Sequence, residues 1–484
     1  MLFLPVSFFV YFLLNKKRLV LAGKTWLVIA SLIFYSAWSI AYLPLLLGSI
    51  LFNFFIGNLA SSHGPKVPGN FSRKTVLIFG ITVNLLVLGF FKYANFFLDN
   101  VNFFAGTSYH LANIILPLGI SFYTFTQIAF LVDAYRNEAK EYNLVNYALF
   151  VTFFPHLIAG PILHHKEMMT QFESRWTWAI RYRHIFMGLF IFSIGLFKKV
   201  MIADTFAVWA NVGFEPGTIH YFFSAWATSL SYTFQLYFDF SGYCDMAIGA
   251  SLLFNIWLPV NFNSPYKAYD IQDFWRRWHM TLSRYLLNYI YIPLGGNRNG
   301  KFRTYFNLMA TFVLGGLWHG ASWMFVIWGA MHGAALVIHR VWKNSGMKMP
   351  KPLAWFVTFM FVNVAWVFFR AENLGDAKRI LLGMIDFQSI FNTPVNSIPI
   401  QNLAWGGLLF DKLMTVMPVG LAGYLACYLM IIVGFFVCSQ KNAIQMMHSK
   451  GNEWGKVVWM TILFCIGLYA SAVSTSTVFL YFNF

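Results

Sequence analysis

Residues 26–59 run for 34 positions without one charged side chain. A single untilted membrane helix needs only about 20 apolar residues, so this run is too long for one pass. Pro44 interrupts it and the basic segment SSHGPKVPGNFSRK follows it. Two passes, out and back, are predicted. That arrangement leaves Lys24 and the Lys66, Arg73, Lys74 cluster on one side, as the retention of basic loops in the cytoplasm requires. The rest of the chain is of the same kind. Of 484 residues, 58% are apolar, 20% aromatic and 11% charged, against roughly 25% charged in soluble domains. The implied fold class is all-α, a polytopic integral membrane protein with about 11–13 transmembrane helices plus re-entrant or interfacial helices, forming one membrane body over residues 1–484.

Further spans are predicted near residues 75–91, 111–132, 144–162, 185–203, 222–240, 243–258, 305–318, 323–338, 353–369, 419–437 and 457–473. Residues 271–292 are too charged to face lipid and should lie at the surface or re-enter. Residues 376–418, with Pro394 and Pro399, read as an external or interfacial connection. Lys16, Lys17 and Arg18 follow the first apolar run directly. This pattern does not suit a cleaved signal, and it places the N-terminus outside the cytoplasm. The net charge of +17 therefore marks cytoplasmic loops. With no basic tail and no aromatic-basic interleaving, nucleic acid is excluded as a partner. Cys244, Cys427, Cys438 and Cys465 are scattered without CxxC spacing, so neither a disulfide framework nor a metal site is expected.

Ionisable groups placed in lipid cost roughly 2.5 to 3.5 kcal/mol each on insertion scales and default to functional hypotheses. His319, in GGLWHGASW, ends an apolar stretch and is flanked by Gly315, Gly316 and Gly320, which would let a backbone or a substrate come close. It reads either as a base for a hydroxyl or as a histidine hydrogen-bonded between helices. His279 lies in FWRRWHMTLSRYL with Arg276, Arg277, Arg284 and Trp278. That composition suits an interfacial helix, and equally a grip on an anionic molecule. The loop IPLGGNRNGKFR carries Arg298, Lys301 and Arg303 among glycines and is either a phosphate cradle or a cytoplasmic turn. Asp239, Ser241 and Asp245 sit at the junction of two predicted spans and are expected to be structural, pairing with the Arg276 region. His332 follows His319 by thirteen residues, some 220° further round a continuous helix, so it is treated as secondary.

Three stretches, QLYFDFSGYCDMAIG, NFNSPYKAYDIQDFWRRWHMTLSRYL and LGGNRNGKFRTYFNLMATFVLGGLWHGASWMFVIWGAMHG, resemble the central region of bacterial membrane-bound O-acyltransferases. LPLGISFYTF, FFPHLIAGPI and GLFKKVMIAD look like further landmarks of the same family, in the branch that acetylates exported polysaccharides of the alginate, peptidoglycan or cellulose type. The resemblance implies helices around a central reaction chamber, a catalytic region near residues 231–340 and a C-terminal aromatic motif at 479–484. It implies catalytic roles for His319, as the base, and His279. Acyl-CoA or chamber contacts would come from Arg276, Arg277, Trp278, Arg284, Arg298, Lys301, Arg303 and Trp318. Tyr481 in FLYFNF would be an acyl relay, or else an aromatic interface anchor; Leu480 departs from the more usual motif. The donor would be acetyl-CoA, with no permanently bound cofactor and no metal. The partners would be an exported polysaccharide and a periplasmic SGNH-type acetyltransferase, in a bacterial inner membrane. Two rivals are D-alanyl transfer to teichoic acids on the same fold and, in a different class, a polysaccharide export or transport protein.

Overall fold

The computed structural model describes residues 2–62, 64, 71–111, 114–141, 143–158, 160–391, 419–449 and 452–473. They form two compact units, one of residues 1–189 with 247–259, the other of 190–246 with 260–484. Among the described residues every regular element is a helix. Seven helices are long and apolar enough to cross a membrane, and the shorter runs Phe3–Lys16 and Gly423–Ser439 are also apolar. The chain is a multi-pass membrane protein.

In the first unit, α1 (Phe3–Lys16), α2 (Val20–Ser39) and α3 (Leu43–Ala60) follow one another through short turns. The uncharged run thus forms two helices, as predicted. Pro44 falls in the first turn of α3, where its missing N–H has no intrahelical partner to lose. α4 (Arg73–Ala105) begins where Ser72 Oγ accepts from the Thr75 amide at 3.1 Å and ends at Gly106 with φ +65°. Its 33 residues outrun the predicted 75–91 and span about 50 Å. α5 (Ile120–Tyr135) starts at Gly119 rather than near 111. α6 (Leu144–Thr152) stops well short of residue 162, because Pro155 cannot continue a helix. α7 (His165–Glu173) follows, and α8 (Tyr182–Phe197) leads into the second unit.

There α8 continues as a π-helical turn, Lys198–Ala203, and then α9 (Asp204–Phe214). The expected spans 222–240 and 243–258 are one helix, α10 (Phe222–Leu253). Nothing in FDFSGYCD breaks a helix outright, and its acidic side chains find partners on the π turn. Asp245 Oδ2 accepts from Lys198 Nζ at 2.6 Å, while Lys199 Nζ lies 2.8 Å from Asp239 and 2.6 Å from Asp204. Gly195 and Gly242 make this approach possible: a Cβ on Gly195 would sit 2.6 Å from the Gly242 carbonyl oxygen. The partners expected for the two aspartates in the Arg276 region are therefore corrected, since Arg277 instead binds Asp273 at 2.9 Å. Ser241 is buried on α10 between the two aspartates.

Residues 271–292 do not form a span. They fold as α11 (Ile271–Trp275), α12 (Met280–Leu286) and a π turn, Leu287–Tyr291. α13 (Gly300–His319), α14 (Trp323–Asn344) and α15 (Lys351–Arg370) follow. The connection expected over 376–418 instead opens inside a helix, α16 (Leu374–Met384), capped by Asn373 Oδ1 on the Asp376 amide at 3.0 Å. Beyond residue 391 the connection lies outside the described residues until α17 (Val419–Ser439), α18 (Ala443–His448) and α19 (Glu453–Val473).

Candidate active site

The site grows from the packing of α13 against α14. A Cβ on Gly316 would lie 2.2 Å from the Phe325 carbonyl oxygen, and one on Gly329 would lie 2.3 Å from that of Phe312. Gly316 therefore admits another backbone, one of the two uses expected of the glycines around His319, whereas Gly315 meets only the Leu286 side chain. A Cβ on Gly320 would lie 2.0 Å from the Phe325 ring. α13 ends on His319, and α14 starts at Trp323 after Gly320, Ala321 and Ser322, with Ser322 Oγ accepting from the Met324 amide at 3.2 Å. His319 is 3% exposed. Its ring lies 4.9 Å from Trp318, 5.2 Å from Trp328 and 5.2 Å from Phe369, centroid to centroid.

His279 faces His319 with 6.5 Å between ring centroids. It is fully buried, 4.9 Å from Phe240 and 6.2 Å from Trp318. Its backbone is left-handed, with φ +43° and ψ +53°, a conformation that costs a non-glycine residue about 1–2 kcal/mol. A strap at residues 261–263 enforces it. The Met280 amide donates to the Asn261 carbonyl at 2.9 Å, and the Thr281 amide and hydroxyl both donate to Asn261 Oδ1. Asn261 Nδ2 reaches Cys244 Sγ at 3.4 Å, and the Asn263 amide donates to the Arg277 carbonyl at 2.9 Å. Strain held in place by so many bonds makes His279 a candidate functional position. Burial pushes the His279 imidazole down to about 3, so it stands neutral in its enclosure.

Behind the two histidines lies a layer of indoles. Trp278 packs 4.8 Å from Trp366, and Trp366 packs 5.7 Å from Trp328. His332 belongs to this layer, buried 4.8 Å from Trp328, its Nδ1 accepting from Trp275 Nε1 at 3.2 Å. The angle drawn for a continuous helix does not apply to it, because α13 ends at His319 and His332 sits on α14. Trp328, Phe369 and Asn261 escaped the sequence reading. The first two differ from dozens of other aromatic residues only through contacts made across helices.

The basic candidates are dispersed. Arg276 is exposed, whereas Arg277 and Arg284 are half-buried. Arg298, Lys301 and Arg303 are exposed at the opposite end of α13 from His319, about 28 Å away along the helix. In their loop Gly295, Gly296 and Gly300 take φ of +107°, +56° and +84°, so the turn itself requires glycine there. Tyr481 lies outside the described residues.

An imidazole pair enclosed by rings is suited to proton transfer in a dry setting. Comparison with known proteins supplies the reaction class. Residues 72–374 match MBOAT, the membrane-bound O-acyltransferase family. The chain belongs to the membrane-bound O-acyltransferases. Within this family it is 46% identical to a peptidoglycan O-acetyltransferase of Helicobacter pylori, over the whole of this chain and 95% of that protein. It is 42% identical to a probable alginate O-acetylase, AlgI, of Pseudomonas aeruginosa, over 85% of this chain and 78% of that one. A teichoic acid D-alanyltransferase of Bacillus subtilis is 27% identical over 54% of the chain and 70% of its own length. This membrane-bound acyltransferase thus holds both of its candidate histidines, His279 and His319, inside the matched segment.

Proposed function

We propose that this acyltransferase moves an acetyl group from cytoplasmic acetyl-CoA across the bilayer for O-acetylation of an exported cell-surface polysaccharide. The observation that carries the reading is the His319–His279 pair, 6.5 Å apart within an aromatic enclosure, in a chain of this family. A thioester is already activated. The protein therefore has to supply a base for the incoming hydroxyl, donors for the oxyanion and exclusion of water. His319 takes the hydroxyl proton as the oxygen attacks the thioester carbon; the C–S bond then breaks, and the coenzyme A thiolate leaves and is protonated. In this reading His279, neutral and opposite, donates a hydrogen bond to the reacting oxygen.

Coenzyme A is too large and charged to cross a bilayer, while the polymer lies outside, so the acetyl group has to change carriers. Tyr481 is the proposed carrier. A phenyl ester is a better donor than an alkyl ester because the phenol pKa is about 10, and a periplasmic SGNH-type acetyltransferase would move the group onto sugar. The setting is a bacterial inner membrane with the N-terminus outside. Peptidoglycan is favoured as the polymer, because the relative acting on it matches from end to end. D-alanyl transfer has less support, with relatives of that activity 27% identical over about half of the chain.

The test is transfer from labelled acetyl-CoA by purified protein with its partner, using muropeptide, alginate or cellulose oligomers. His319→Ala should abolish transfer, and undiminished transfer would sink the assignment. Mass spectrometry should find acetyl on the C-terminal peptide, and a Tyr481→Phe variant that still acetylates polymer would remove the relay.

A further inference from the structure

Away from the histidines, the second unit carries a groove of about 1020 Å³ between α14 and α15. One wall is α14 from Met331 to Lys343, and the other is the first half of α15, out to Phe361. Its floor is apolar, with Ala334, Ala335, Ile338, Ala354 and Val357 among its residues. The other end is basic. Lys343, Lys348 and Lys351 line it, and among the described residues none of the three has an ion-pair partner. The N-terminus of α15 opens there as well, with Pro350 at its cap and no side chain capping it. Asp270 is the carboxylate on the rim, and it faces His339 Nε2 at 3.7 Å.

Two dimensions narrow the occupant. From Met331 to Lys343 is twelve residues, about 18 Å of helix, close to the roughly 15 Å depth of one leaflet of the hydrocarbon core. The lysines sit at the end where that depth would reach the headgroups, with the Asp270–His339 pair about one turn inward of Lys343. A soluble peptide or nucleotide would leave the apolar floor unpaired, and a neutral lipid would leave the lysines unpaired. A molecule with a fatty chain and an anionic head satisfies both, and basic pockets between membrane helices are known to receive such heads.

We propose that the α14–α15 groove is a binding site for one anionic glycerophospholipid of the leaflet bordering Lys343, Lys348 and Lys351, its phosphate held by these lysines and an acyl chain laid along Ala334, Ala335 and Ile338. The deep end of the groove is Phe361, whose ring lies 5.2 Å from His332, and His332 holds the Trp275 indole. A chain in the groove therefore braces the indole layer behind the active site.

The experiment uses the full-length protein in nanodiscs of phosphatidylcholine with or without phosphatidylglycerol, read by native mass spectrometry and thermal unfolding. Phosphatidylglycerol should stay bound through detergent exchange and raise the unfolding temperature, and soluble glycerol 3-phosphate should do neither. A membrane-surface lysine contributes about 1 kcal/mol toward anionic lipid, equivalent to about fivefold in affinity. Lys343→Gln with Lys351→Gln should thus weaken retention about 25-fold, whereas Arg298→Gln with Lys301→Gln should leave it unchanged. Ala335→Trp, which fills the floor and keeps every charge, should also expel the lipid, so the inference does not hang on the lysine variants folding. Equal retention of phosphatidylcholine and phosphatidylglycerol, unchanged retention in both groove variants, or binding of glycerol 3-phosphate alone would overturn the assignment. So would a raised KM for acetyl-CoA in the lysine variant at saturating phosphatidylglycerol, since that would make the groove a donor site.

Discussion

Gly315 and Gly316 are neighbours in one motif, yet alanine should have opposite effects at the two. A Cβ at Gly316 would stand 2.2 Å from the Phe325 carbonyl oxygen and 3.2 Å from the Gly329 Cα, whereas ordinary contact begins at 3.4 Å. The shortfall against the oxygen is 3.4 − 2.2 = 1.2 Å, and backbone stands on both sides of it. α13 and α14 must therefore separate by about that much. Overpacking of this kind costs about 1–3 kcal/mol, of which alanine's better helix propensity returns at most about 1 kcal/mol. At Gly315 the nearest atom is Leu286 Cδ1 at 3.1 Å, the end of a flexible side chain, so the propensity gain dominates. Gly315→Ala should be neutral or slightly stabilising. Gly316→Ala should unfold at lower temperature. Because His319 lies three residues further along the displaced helix, acetyl transfer should also fall about 100-fold, the scale of a 1 Å misplacement. Thermal unfolding and initial rates of labelled acetyl transfer, measured on both variants in the same nanodiscs, decide the matter. Equal effects of the two substitutions, or wild-type transfer by Gly316→Ala, would refute the claim that this crossing positions the imidazole.

Lys198→Met strands a buried Asp245 carboxylate and should destabilise the protein by about 3–5 kcal/mol, while adding Asp245→Leu should recover most of that loss; a double variant as unstable as the single one would contradict the pairing. Burial pushes the His279 imidazole down to about 3 in the folded protein, against about 6.5 when unfolded. Between those values the unfolded chain holds the extra proton, so stability from this residue is complete above pH 6.5 and falls as pH drops toward 3, by up to about 1.4 kcal/mol per pH unit. In His279→Asn the stability–pH slope below pH 6.5 should be smaller by one proton's worth, and an unchanged slope would show that His279 charges freely in the folded protein.

Pro44 and the absence of charge around it were enough to predict the α2–α3 pair, since both signals are local. The two histidines were legible for a related reason, because ionisable groups are rare in lipid and stand out wherever they occur. α10 was misread because FDFSGYCD looks like a polar junction until Lys198 and Lys199 are brought beside it from some forty residues upstream. The signal was nevertheless there, as two lysines in one apolar run and two aspartates in another. α16 is legible in principle from Asn373 and Asp376, a capping pair at the threshold of the stretch 376–418. The role of His332 was hidden by assuming that α13 continued past His319, and only the turn at Gly320 removes that assumption.

The left-handed backbone at His279 also shapes which mutants of this protein can arise. One base change in either histidine codon yields tyrosine, asparagine, aspartate, glutamine, arginine, leucine or proline. Proline is locked near φ −65° and cannot occupy a position with φ +43°. Tyrosine, leucine, glutamine and arginine lack the short polar side chain that eases this conformation, and arginine and aspartate would also bring a charge into a fully buried place. Asparagine alone keeps both the turn and the dryness of the enclosure. A population selected to abandon the reaction while still inserting the protein should therefore reach asparagine at residue 279 repeatedly and independently, and the other six mostly as chains that the cell degrades.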